Sequence, residues 1–226
     1  MMSNISKLSL IGDSYFRPTR GFRMERYWCD PQLANMRTGM GLQKKFIAPK
    51  IGENVSFFPG KGILELKNMV IRRIKDDIGN DHVVVIYLGM NDVRYGQDNV
   101  EMIVSCYQDI LEEAKKCKNT RIIVIGLIPS PCFVRNNWCQ KMCCEHESAS
   151  RGKMLQVNSK LKGLCRDNAQ VSMFVNLGRM FEREVGNEFW VDRQWYDKDD
   201  IHLKKNCGEK LTEKLACFLA TLRNSY

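Results

Sequence analysis

The sequence predicts an α/β chain, a three-layer α/β/α sandwich built around a mostly parallel sheet. Residues 83–88 (VVVIYL) and 121–128 (RIIVIGLI) are solidly apolar runs of strand length, as expected for strands buried on both faces. Around them lie stretches whose apolar residues recur at helical spacing, and strands alternating with such helices build a parallel sheet covered on both sides. With 226 residues, 44% of them hydrophobic, the chain can bury one sizeable core, and a single domain over 1–226 is expected.

Taken in order, residues 8–11 form the first strand and run into Gly12-Asp13-Ser14, a glycine turn that delivers a hydroxyl at the strand's exit. Arg17, Arg20, Arg23 and Arg26 follow at every third position. On a helix they would step by about 60° and cover half a cylinder, so they read as a solvated basic face or as an anion site beside that exit. Residues 31–50, with the Lys44-Lys45 pair, have no clear assignment. Residues 55–58 read as a second strand ending at Pro59-Gly60-Lys61-Gly62, and 63–74 as an amphipathic helix. The strand at 83–88 leads straight into Gly89-Met90-Asn91-Asp92. Beyond it the pattern predicts a helix at 100–117, the strand at 121–128, a polar cysteine-rich insertion at 132–150 and a helix at 151–168. A last strand at 171–175, an irregular stretch to Asp199 and a helix at 207–222 complete the chain.

Thirty-five Lys and Arg against 26 Asp and Glu give a formal charge of +9, which favours anionic partners such as nucleic acid, acidic lipid or phosphorylated substrates. No apolar run reaches the length of a membrane span and no leader pattern is visible, so the ten cysteines read as reduced thiols of a cytoplasmic or nuclear protein. Cys132, Cys139, Cys143, Cys144 and His146 crowd into one segment, but C-x3-C-C-x-H is not a paired-ligand spacing for zinc. The expectation is a loop over the site's edge, with no metal and no cofactor.

Nucleophilic hydrolysis needs a hydroxyl, a base, a group to orient that base, and donors for the oxyanion. Only three histidines are available. His82 opens a buried strand and reads as structural, and His146 lies in the insertion. His202 has Asp199 three residues before it, close enough to curl back to the imidazole, with Asp197 and Asp200 equally allowed by spacing. Asn91, at the end of a central strand, carries an amide that can donate to an oxyanion, and Gly60 offers an unobstructed backbone N–H.

Gly12-Asp13-Ser14, Gly60, Gly89-Met90-Asn91-Asp92 and Asp199-Asp200-Ile201-His202 stand in the order of the four sequence blocks of the SGNH (GDSL-type) hydrolase superfamily, which the chain resembles over nearly its whole length. The resemblance implies a flavodoxin-like sheet and a metal-free serine esterase acting on short, acetyl-type acyl esters. In that scheme Ser14 is the nucleophile, His202 the base and then the acid, and Asp199 the orienting carboxylate. The oxyanion hole is made by the Ser14 and Gly60 N–H groups and the Asn91 amide. The superfamily also holds esterase domains of retrotransposons and the Oskar OSK domain, which has lost its catalytic residues and binds RNA. The resemblance therefore admits a second expectation, a module that binds RNA or anionic lipid with little catalysis.

Overall fold

In the computed structural model five strands form one parallel sheet in the order β2-β1-β3-β4-β5. They are β1 (Lys7–Gly12), β2 (Val55–Phe57), β3 (His82–Tyr87), β4 (Thr120–Ile125) and β5 (Ser172–Val175). The structure describes residues 7–12, 55–58, 60–76, 82–95, 100–130, 143–185, 188–197 and 202–224. The strand order is the flavodoxin order, whose direction of winding reverses between β1 and β3, and ligands of such sheets bind at that reversal, outside the carboxyl ends of the strands. Pairing runs from Lys7 opposite His82 to Gly12 opposite Tyr87, so β1 and β3 end level.

Each face of the sheet has its own core, as alternating side chains demand. Ile11, Val84, Ile86, Ile122 and Val124 pack under α1 (Ile63–Lys75), α3 (Val100–Lys115) and α4 (Cys143–Asp167). Leu8, Leu10, Val83, Val85, Ile123 and Ile125 pack under Cys207, Leu211, Leu215 and Leu219, one every fourth residue along α5 (Lys205–Asn224). Each such aliphatic side chain stabilises the fold by about 1.5–3 kcal/mol on burial. The expected three layers are present. No helix among the described residues is long and apolar enough to cross a membrane.

Two expectations need correction, and one short helix is added to them. The stretch 132–150 is not all irregular insertion, because α4 begins at Cys143, eight residues before the helix expected from 151. Its packed part, with Met154, Val157, Leu161 and Cys165 buried, has already met the cost of nucleation, so CCEHESAS extends it one hydrogen bond per residue. Gly89-Met90-Asn91-Asp92, given no element from the sequence, opens a short helix, α2 (Met90–Tyr95), too brief for periodicity to reveal. The strand ending at Val175 is not the last either. A 3-10 turn (Gly178–Phe181) leads to an antiparallel hairpin, β6 (Glu182–Val185) and β7 (Glu188–Val191), within the stretch read as irregular. Its EREV strand is charged at alternate and adjacent positions alike and gives no alternation, although Gly186-Asn187, two residues between two runs, is a hairpin signal.

Candidate active site

The exits of β1 and β3 frame the site. β1 ends at Gly12, whose carbonyl accepts the Phe58 N–H (2.8 Å), tying the start of the following loop to the strand beside it. Past the end of β3 the chain passes Leu88 to Gly89, whose φ of +114° is a backbone state that side chains disfavour, and α2 starts at the next residue.

Asn91 is nearly buried, 8% exposed, and its Nδ2 donates to the Lys61 carbonyl (2.9 Å). That nitrogen carries a second hydrogen. Gly60 lies in a turn closed by the Lys61 N–H donating to the Phe58 carbonyl (3.1 Å), and it has φ +75° and an exposed surface. Gly60 and Asn91, predicted separately, are thus brought to one place, with Lys61 the link between them.

Asp92 does something the sequence reading did not assign to it. Its Oδ2 accepts the Ile63 N–H (2.7 Å) and its Oδ1 the Leu64 N–H (3.4 Å), so it caps α1 from another helix. A Cβ on Gly62 would meet both carboxylate oxygens at 2.2 Å, which is why the residue before α1 has no side chain. Burial, the largest cause, pushes the Asp92 carboxyl above its usual range, and the two backbone N–H groups offset part of that. The clue was available in the sequence: α1 opens behind a glycine rather than Ser, Thr, Asp or Asn, so its cap must come from elsewhere.

His202 is half-buried on a segment with paired flanks. The Asp197 N–H donates to the His202 carbonyl (2.7 Å), Tyr196 and Leu203 form an antiparallel bridge, and the Lys204 N–H donates to the Trp195 carbonyl (3.0 Å). The Tyr196 hydroxyl in turn donates to the Pro129 carbonyl, just past β4, which holds this segment at the carboxyl end of the sheet. Asp199 and Asp200 belong to the four residues between the paired flanks and lie outside the described residues. Ser14, two residues beyond Gly12, lies outside them too, as do Arg17, Arg20, Arg23, Arg26, Cys132 and Cys139, and the side chains of Cys143, Cys144 and His146. Among the described residues, no group of three His, Cys, Asp or Glu is placed to hold a metal ion.

A hydroxyl–imidazole pair is present elsewhere: His82 Nε2 and Ser9 Oγ are 2.8 Å apart. That contact is the kind a serine nucleophile needs. Yet Ser9 is 1% exposed and His82 0%, at mid-strand on β1 and at the start of β3, away from the exits. No ester can reach it, and the pair straps β1 to β3.

No family model and no curated protein matches the chain. Solved structures do. A carbohydrate esterase family 3 protein from Talaromyces cellulolyticus is 16% identical with a TM-score of 0.65, the match covering 97% of this chain and 99% of that one. An acetyl esterase carrying a serine-to-alanine substitution, solved with acetate ion, gives 17%, 0.62, 97% and 98%. A GDSL-like lipase from Bacteroides thetaiotaomicron VPI-5482 gives 17%, 0.58, 96% and 88%. The chain shares the fold of these esterases. At such identities the likeness is one of architecture, and the chemistry has to be argued from the residues.

Proposed function

We propose that the chain is a serine esterase that removes short, acetyl-type acyl groups, with Ser14, His202 and Asp199 as its triad. The observation that carries this reading is the pairing of Asn91 with the Gly60–Gly62 loop at the winding reversal, beside the strand end from which Gly12-Asp13-Ser14 departs. Donors aimed at a developing oxyanion are commonly the largest single contribution to such catalysis. In the reaction Ser14 Oγ attacks the ester carbon while His202 takes the hydroxyl proton, and Asp199 holds the imidazole in the tautomer that can accept it. The tetrahedral oxyanion receives the Ser14 and Gly60 N–H groups and the second hydrogen of the Asn91 amide. Collapse expels the alcohol, which takes the proton from His202, and water then frees the acid by the same route. The acetyl preference is supported by the acetyl and carbohydrate esterases that share the fold. The free, buried thiols of Cys106, Cys117, Cys165 and Cys207 support a reducing compartment such as the cytoplasm.

The charge of +9 favours a second reading, an RNA- or anionic-lipid-binding module, through Arg17, Arg20, Arg23 and Arg26. Hydrolysis of p-nitrophenyl esters from acetate to octanoate by wild type and Ser14→Ala separates the two. Wild type is expected to turn over acetate fastest, with Ser14→Ala lower by about 10⁴-fold at an unchanged Tm. Equal activity in both would remove Ser14 from the chemistry. An inert wild type that binds RNA in a salt-dependent way would establish the module instead.

A further inference from the structure

We propose that Asp92 is a positioning residue, its carboxylate latching the head of α1 onto α2 and so fixing the direction in which the Gly60–Gly62 loop presents its N–H. The inference rests on the esterase reading and adds to it the part that holds the oxyanion loop still. α1 has no cap of its own, because Gly62 offers no side chain, and Asp92 reaches across 29 positions of sequence to bind the Ile63 N–H. Its neighbour Asn91 holds the Lys61 carbonyl at 2.9 Å. Two consecutive residues of α2 therefore grip the loop at Lys61 and the head of α1 at Ile63 and Leu64. At the loop's tip, a Cβ built on Gly60 would meet nothing within 4 Å among the described residues. The loop's direction is set from its base, by Phe58 on the Gly12 carbonyl at one side and by the Asn91-Asp92 grip at the other. The fit at Gly62 is tight enough that the carboxylate and a side chain there exclude each other. A half-buried carboxylate that desolvation disfavours is a poor choice for stability alone, which agrees with a place in the site's machinery.

The test compares Asp92→Ala, Asp92→Asn, Gly62→Ala and the Gly62→Ala/Asp92→Ala pair. The readouts are kcat and KM on p-nitrophenyl acetate, and amide hydrogen exchange at Ile63. Asp92→Ala is expected to lower kcat by about 10²-fold with KM nearly unchanged, the scale of a misplaced catalytic group, and to expose the Ile63 amide to exchange. Asp92→Asn keeps one acceptor oxygen and is expected to recover most of kcat. Gly62→Ala should lower kcat in the wild-type background and add nothing to Asp92→Ala, since the side chain it collides with is then gone. A folded Asp92→Ala with wild-type kcat overturns the proposal, as does full additivity of the pair. An inert wild type refutes the esterase reading by itself. The latch is then judged by exchange, where an Ile63 amide equally protected in Asp92→Ala overturns it.

Discussion

Asp92 shows how a single carboxylate can be held against its own solvation. Burial raises its folded pKa above the unfolded value, so ionising the group costs more in the fold than in the unfolded chain. The stability linked to its proton is fully present below the ordinary carboxylate pKa of about 4 and is lost as pH rises through the raised folded value. Asp92→Asn, neutral throughout, lacks this loss. Denaturant titrations at about pH 4 and about pH 7 are therefore expected to show wild type losing stability relative to Asp92→Asn on the way up. A relative gain instead would mean that the Ile63 and Leu64 N–H groups outweigh burial. Asn91, Gly60 and His202 could be picked out as candidates because each stands at a sharp local boundary, a polar or glycine residue closing an apolar run or preceding a helix. The task of Asp92 could not, because its partners lie in a different element and no local spacing encodes that contact.

Side-chain clamps tie helices to the segments that leave the strands. The Tyr107 hydroxyl on α3 donates to the Leu88 carbonyl (2.9 Å), just past β3. Asn158 on α4 grips Leu127, past β4, by both backbone groups, its Oδ1 accepting the N–H (2.7 Å) and its Nδ2 donating to the carbonyl (3.0 Å). Truncating Asn158 leaves two backbone groups of a buried residue unpaired, so Asn158→Ala is expected to cost about 2–4 kcal/mol by denaturant unfolding. A cost below about 0.5 kcal/mol would show that water replaces both bonds. The same elements show what local pattern can carry. β1, β3 and α1 were readable to within a residue, because solid apolar runs and a single apolar stripe leave little choice, whereas β4 stops at Ile125, three residues before the end of its apolar run. α2 and the β6–β7 hairpin were not, one being shorter than two helical turns and the other bearing charges where alternation was needed.

Across the whole molecule the two cores keep their thiols in the dark. Burial pushes Cys106, Cys117, Cys165 and Cys207 above the usual thiol range, Cys165 to about 11. Alkylation followed site by site with mass spectrometry is expected to find these four unreactive until global unfolding, with half-buried Cys217 modified earlier. Early labelling of Cys165 would mean that α4 opens on its own. Layer count and strand order were legible from the alternation of elements and from the resemblance together, since the order of winding is a long-range property that periodicity alone does not hold. The leucine ladder of α5 has one more consequence, which belongs to the chain's birth rather than to its finished state. As the polypeptide leaves the ribosome, Leu8, Leu10, Val83 and Val85 emerge long before Leu211, Leu215 and Leu219, which pack in the same cluster. A nascent chain therefore displays an apolar strip that invites holding chaperones and wrong partners. His202 emerges just ahead of that ladder, so this face of the sheet is closed and the imidazole arrives within the same short interval of translation.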